Sequence, residues 1–256
     1  MKITLVTIFP EWFSSAFADG MIRVARDAGR LEVEVVNLRT FTDDVHQTTD
    51  DAPFGGGAGM IMKVEPIDRA LAACGAGTKA SRPAGVKVAL TSPQGARFTQ
   101  ATAIAWSQLE HLVVVCGRYK GVDERVAEQL ADEEFSIGDF VLSGGEPAAL
   151  CVVDALARLQ PGVVGKFDSV ESDSFHSGLL DCAYWTRPAD YHGWTVPEVL
   201  LSGHHAQIEQ ARREQALCRT FERRPELLAN ADLDPEDRTF LRALERARDA
   251  RTRSSG

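Results

Sequence analysis

The sequence predicts an α/β protein with a mostly parallel sheet, followed by a small all-helical domain. Three observations carry this. Short apolar runs rich in β-branched residues alternate with stretches of helical spacing through residues 1 to 160. Glycine-rich turns follow several of those runs. Beyond a stretch full of Gly, Ser and Asp at 160 to 178, only helical periodicity remains.

In chain order, ITLVTIF (3–9), LEVEVVNL (31–38), VKVALTS (86–92) and HLVVVCG (111–117) read as strands. Their nearly unbroken apolar character suits a sheet covered on both faces. PIDRALAACG (66–75) and FTQATAIAWSQL (98–109) have helical spacing, the second with Thr99 as its N-cap. GAGTKASRPAG (75–85) lacks periodicity and reads as an exposed loop. PAALCVVDALARL (147–159) is an apolar helix interrupted by Asp154 and Arg158. Residues 1 to 160 thus form one domain, 161 to 176 a flexible linker and 177 to 256 a helical domain. Its two main helices cover 205–218 and 234–251, the second with Asp234 as cap and Pro235 in its first turn. The terminal RTRSSG is expected to be disordered.

Composition excludes several classes. With 44% hydrophobic and 25% charged residues the chain is neither predominantly disordered nor fibrous. No window approaches 18 uninterrupted apolar residues, so no membrane span is expected. The apolar start MKITLVTIF is broken by Pro10 and Glu11, which suits a first strand and not a signal peptide. Five scattered cysteines without a CxxC pair point to reduced thiols, small apolar packing and a cytoplasmic location. The net charge of −9 is unevenly spread: residues 1–204 hold 17 basic and 27 acidic side chains, residues 205–256 hold 11 and 10. Within ARREQALCRTFERR (211–224) five Arg face two Glu, a cluster able to meet phosphates or to form a solvated helix face.

The densest local signal is DDAPFGGGAGM (50–60). Four Gly in five positions are needed only where the backbone must turn freely or come close to something. The run fits neither GxGxxG nor GxxxxGK[ST], and a purely structural loop remains open here. Three further loops, TSPQG (91–95), CGRYKGVDER (116–125) and SIGDFVLSGGEPA (136–148), follow strands and would converge on one crevice. Leu90, Ile137 and Leu142 would give it apolar walls, and loop amides would give donors for an adenine-like ring. No GxSxG or HExxH occurs, and the adjacent His204 and His205 would diverge. Asp173 in ESDSF and Arg158 at the end of the preceding helix are the acid–base candidates, although an acid placed like Asp173, taken alone, is more often a solvated loop acid. The residues alone thus lead to an α/β enzyme with a nucleotide-like pocket.

The ordered series DDAPFGGGAGM, LTSPQG, VVVCGRYKGVDER, EEFSIGDFVLSGGE, DSF, LLDCAYWTRP and VPEVLLSGHHA resembles the bacterial tRNA (guanine-N1)-methyltransferases of the knotted SPOUT class. The match runs from ITLVTIFPEWF to RTFERRPELL, nearly the whole chain. The resemblance implies a deep trefoil knot that binds S-adenosylmethionine, lined here by Leu90, Ser92, Pro93, Gly117, Tyr119, Gly121, Ser136, Ile137, Gly138, Phe140, Leu142, Gly144 and Gly145. It implies an obligate homodimer whose active site both subunits share. It gives Asp173 the role of general base for guanine N1 and Arg158 that of stabilising charge on the base. Asp50 with Gly55, Gly56 and Gly57 would read the flipped guanine or its neighbour, and Arg212 and Arg213 would grip the anticodon stem-loop of tRNA. The target implied is guanosine 37, and Mg2+ stays open as a second requirement, with no metal ligands assigned.

Two departures stand out. Lys120 replaces the Glu usual in CGRYEG, which reverses the local field on a sulfonium, and Ala52, Phe54 and Ala58 alter the glycine-rich run. Two other readings share most of these residues: the same fold acting on another RNA, and a non-catalytic adenosine-ligand sensor. The tail HHAQIEQARREQALCRTFERRPELL resembles the tRNA-specific family and speaks against the first. The joint presence of Asp173, Arg158 and the linker speaks against the second.

Overall fold

The structure, a computed structural model, describes residues 1–164 and 173–254. In chain order the elements are β1 (Lys2–Thr7), α1 (Gly20–Asp27), β2 (Glu32–Asn37), β3 (Asp50–Asp51), β4 (Ile61–Met62), α2 (Val64–Ala73), β5 (Val86–Arg97), α3 (Gln100–Ser107), β6 (His111–Val115), β7 (Glu133–Ser136) and α4 (Glu146–Arg158). There follow β8 (Asp190–Tyr191), β9 (Trp194–Thr195), α5 (Glu198–Leu201), α6 (His205–Arg223) and α7 (Pro235–Ser254). The chain divides into two compact units, Met1–Phe167 and Asp168–Gly256.

In the first unit five strands pair in the order β2-β1-β6-β5-β7, every pair parallel. The apolar run of β6 shows why both faces are covered. Leu112 and Val114 belong to one buried layer with Trp106 of α3, Ala25 of α1 and Val152 and Leu156 of α4. Val113 and Val115 belong to the other, with Ile67 and Leu71 of α2 and with Val126 and Leu130, which lie on a short π-helical turn. Alternation by residue sends successive side chains into opposite layers, and each fully buried Val or Leu is worth roughly 1.5–3 kcal/mol. Thr99 caps α3 as expected, accepting from the Thr102 amide at 3.3 Å.

Two features of the sheet depart from expectation. TSPQG is not a turn after a finished strand, because β5 continues to Arg97 with a bulge between Thr91 and Ala96. Pro93 has no N–H to give a ladder, and a side chain at Gly95 would run into the backbone of Phe135. Strand β7, EEFS, has no apolar run to announce it. It is an edge strand whose Glu133 accepts from Lys87 Nζ at 2.6 Å and from Trp106 Nε1 at 3.0 Å, and charge on an edge discourages pairing with other chains.

In the second unit Leu179, Leu217 and Leu241 form the buried centre of α6 and α7. Asp234 accepts from the Asp237 amide at 2.8 Å while Asp237 accepts from the Asp234 amide at 3.1 Å, a reciprocal cap on α7. The expectation of an all-helical domain needs correction. β8 and β9 form an antiparallel hairpin across His192 and Gly193, both at positive φ, with Asp190 accepting from the Gly193 amide at 2.8 Å. A two-residue turn of that backbone hand matches strand twist, and two-residue strands are too short to show a period. Helix α7 is described to Ser254; residues 255–256, the end of the RTRSSG tail, lie outside the described residues.

The expected linker at 161–176 is held at both ends. Val163 is buried in the first unit, and Asp173–His176 belong to a turn of the second, described below. Residues 165–172 lie outside the described residues. Among the described residues no helix is long and apolar enough to cross a membrane.

Candidate active site

At the C-terminal edge of the parallel sheet the loops after β6 and β7 meet the bulge of β5 around Thr91. Its hydroxyl accepts from the Gly117 amide at 2.8 Å and donates to the Val115 carbonyl at 3.3 Å. The Gly145 amide donates to the Gly117 carbonyl at 2.8 Å, and Arg118 bridges to Gly144. The bulged part of β5 and the loops after β6 and β7 are thereby tied together. Gly145 is required by close approach: a Cβ there would overlap Thr91 Oγ1 and lie 2.7 Å from Thr91 Cβ. At Gly138 the reason is backbone hand, φ +153°, with Ser136 Oγ accepting from its amide at 3.2 Å. Leu90 is buried in one core layer, Ile137 is partly buried against the other, and Phe140 and Leu142, close to Ile137 in sequence, are exposed. Ser92 holds the bulge by accepting from the Gln94 amide at 3.2 Å, and Pro93 is exposed next to it.

Beneath these loops lies an ion pair that sequence reasoning passed over. Glu146, the first residue of α4, is wholly buried. It accepts from Thr7 Oγ1 at 2.7 Å, and Arg118 reaches it with Nε at 3.2 Å and Nη2 at 3.1 Å. The same guanidinium lies over the Phe9 ring, 4.2 Å from its centroid. Arg118 thus ties the loop after β6 to β1 and to the start of α4. Glycine at 144 leaves the room it occupies, since a Cβ there would overlap Arg118 Nε. The sequence signal was weak: an acid in the first turn of a helix is ordinary on macrodipole grounds alone.

The glycine-rich run docks on the same loops. β3 and β4 pair antiparallel, the Met62 amide donates to the Gly121 carbonyl at 3.0 Å, and the Lys120 amide donates to the Met60 carbonyl at 3.1 Å. Gly55, Gly56 and Gly57 have φ of +83°, +79° and +126° and are exposed. Lys120 lies along the run, where a Cβ at Gly59 would come within 2.7 Å of its Cγ. Tyr119, itself at φ +60° and half-exposed, faces Asp50. Burial, the Asp50 charge and a hydrogen bond to Asp50 hold its phenol above the ordinary range, with Arg39 opposing them. A residue expected at the donor and one expected at the target base are therefore neighbours.

The remaining candidates are placed separately. Arg158 is exposed on the last turn of α4 in the first unit. Asp173 belongs to the second unit, where its carbonyl accepts from the His176 amide at 3.2 Å and Phe175 and Leu179 close the turn at 2.7 Å. The Asp181 amide donates to Ser174 Oγ at 2.9 Å, and the Asp232 amide donates to the Ser177 carbonyl at 3.3 Å, fastening this turn to the segment before α7. Arg212 and Arg213, adjacent on α6, differ. Arg213 is committed to Asp237, with Nε at 3.1 Å, and to the Asp232 carbonyl at 2.8 Å, which joins α6 to α7. Arg212 stays near the surface, pairing with Glu209 at 3.3 Å and lying 6.0 Å from the Tyr184 ring centroid.

All five cysteines are free, with Cys116 and Cys182 buried, Cys74 and Cys218 partly so, and Cys151 exposed. Apolar packing is thus wrong for Cys151, which lies on the outer side of α4. Burial pushes the Cys116 thiol well up, which makes it a poor nucleophile. Among the described residues no group of three or more His, Cys, Asp or Glu side chains is arranged to hold a metal ion.

The chain is similar to known proteins along nearly its whole length. The family profile described as tRNA (guanine-1)-methyltransferase TrmD matches residues 1–230. A Moorella thermoacetica protein named tRNA (guanine-N(1)-)-methyltransferase is 48% identical over 98% of this chain and 100% of its own. Proteins of the same name from Pelotomaculum thermopropionicum, 49% identical over 95% and 96%, and Bacillus velezensis, 46% over 96% and 99%, are similar to it at the same level.

Proposed function

The chain belongs to the tRNA (guanine-1)-methyltransferase TrmD family, and from that premise we propose that it moves a methyl group from S-adenosylmethionine to N1 of guanosine 37 in tRNA. The observation that carries the reading is the convergence of the β5 bulge and the loops after β6 and β7 on Thr91, with the glycine-rich run docked beside them. Such a site offers main-chain donors and acceptors with apolar edges, the chemistry an adenosine-like ligand needs.

The donor residues in this reading are Leu90, Ser92, Pro93, Gly117, Tyr119, Gly121, Ser136, Ile137, Gly138, Phe140, Leu142, Gly144 and Gly145, held by a knotted chain path. S-adenosylmethionine supplies an electrophilic methyl on a sulfonium and leaves as the neutral thioether. Guanine N1 is a poor nucleophile while protonated, so Asp173 accepts that proton through a carboxylate oxygen. Arg158 faces the negative charge that spreads to O6 as the proton leaves. The new N1–C bond forms as the S–C bond breaks, and the enzyme's part is to keep the two in line.

Asp173 and Arg158 lie on different units, which a homodimer accommodates if the loops of one protomer are completed by the Asp173 turn of its partner. The flipped base then meets Asp50 and the run at Gly55–Gly57, and α6 supplies cations to the anticodon stem through Arg212. Arg213 is committed to Asp237, so its part is to hold α6 and α7 together. Lys120 packs its side chain along the glycine-rich run and so acts there as a spacer. The setting is cytoplasmic, where tRNA and reduced thiols coexist.

The test is transfer of labelled methyl from S-adenosylmethionine to an unmodified tRNA transcript with G at position 37, beside a transcript with A there. Label on the first alone is expected. Label on both moves the target elsewhere, and label on neither removes the reaction.

A further inference from the structure

Outside the loops already described, the second unit carries an open cleft of about 380 Å³ bounded by Tyr184, Trp185, Arg187, Leu200, Leu201 and Arg212. Its walls are built from three places: the 183–189 segment, the short helix α5, and α6. The β8–β9 hairpin closes one end, since the Val196 amide donates to the Ala189 carbonyl at 2.9 Å. The aromatic rings in it are not core residues that failed to pack. Tyr184 is 63% and Trp185 42% exposed, yet Tyr184 is fixed, its hydroxyl donating to Asp181 Oδ1 at 3.2 Å and its ring lying under the Arg212 guanidinium. The hairpin tip adds Tyr191 and Trp194, ring centroids 5.9 Å apart, with Trp194 75% exposed.

We propose that this cleft is a stacking site for an unpaired nucleobase of RNA, with Arg187 and Arg212 at its rim for the flanking phosphates. Three observations favour this occupant. Flat aromatic faces beside guanidinium groups are what a sequence-tolerant single-stranded site requires, because every base has a π-face and every linkage a charge. The volume lies near the lower end of the 300–1,000 Å³ that small-ligand sites occupy, about enough for one nucleoside and too little for a helix. Two of the acids nearby are already engaged: Glu209 pairs with Arg212 at 3.3 Å in a surface contact that a phosphate can displace, and Asp190 accepts from the Gly193 amide. The proposal rests on RNA being the substrate and not on which nucleotide is methylated.

The experiment is direct binding with the full chain, which needs no methyl transfer and so reads separately from the target assignment. Affinity for a tRNA transcript is measured for the wild type, Tyr184→Ala, Tyr184→Phe and Arg212→Gln across a salt series. Tyr184→Ala is expected to weaken binding about tenfold or more, the scale of one lost base stack, and Tyr184→Phe to restore it. Arg212→Gln is expected to lower the salt slope by about one. A short oligoadenylate is expected to quench a tryptophan signal that Trp185→Phe removes, and a blunt RNA duplex is not. Wild-type affinity in Tyr184→Ala overturns the proposal. So does a change of oligomeric state in that variant, seen by sedimentation, because the face would then cover a second copy of the chain.

Discussion

Arg118 and Glu146 meet at 3.1 Å across the base of three loops, the carboxylate wholly buried and the guanidinium stacked on Phe9. An ion pair out of water repays its desolvation only when both partners are well hydrogen-bonded, and removing one partner strands the other. Glu146→Ala should therefore lower stability by roughly 3–5 kcal/mol, read from urea unfolding. A loss under about 1 kcal/mol, the scale of a surface pair, would mean that water reaches Arg118 and the loops do not depend on it.

Gly145→Ala should act on the same loops without touching a charge. The added methyl has no space beside Thr91, and overpacking of that kind carries about 1–3 kcal/mol of strain. Calorimetric titration with S-adenosylmethionine should show markedly weaker binding while the thermal transition stays cooperative. Unchanged affinity would place the donor away from the Thr91 junction.

Asp173→Asn keeps the size of the side chain and removes its ability to take a proton. Single-turnover methyl transfer should slow by roughly 10²-fold or more, with tRNA affinity near that of the wild type. Near-normal turnover would take Asp173 out of the mechanism and leave it as an acid of the turn it occupies.

Asp237 links pH to the second unit. Burial pushes its carboxyl up, but the hydrogen bonds from Arg213 and from the Asp234 amide outweigh that and leave it below the ordinary value. A depressed carboxyl contributes stability that is complete above the unfolded value, about 3.9, and is lost as pH falls through the lower folded value. Acid unfolding followed by circular dichroism should accordingly show a steeper loss below about pH 4 in the wild type than in Asp237→Asn. The variant should also be less stable at neutral pH, because Arg213 loses its charged partner.

How far these residues could be read in advance depends on how local their causes are. The apolar runs at β1, β5 and β6 announced a covered parallel sheet because burial on both faces demands continuous hydrophobicity. Thr99 and Asp234 announced helix starts because a cap acts within three residues. The hairpin at Asp190–Thr195 and the edge strand at Glu133–Ser136 left no such trace, one being too short for a period and the other using charge where a central strand would use Val.

The sequence by itself determined that glycines at 117, 138, 144 and 145 follow strands, that the chain matches one methyltransferase family, and that cations gather at 211–224. Only the tertiary structure decided what those features do. It is the parallel order β6-β5-β7 that brings Thr91, Gly117 and Gly145 within hydrogen-bonding reach. The fold also buries Glu146 against Arg118, and it ties Arg213 to Asp237 while leaving Arg212 over Tyr184. Those outcomes depend on contacts between residues 24 to 54 positions apart, where chain connectivity imposes no distance and packing alone sets it.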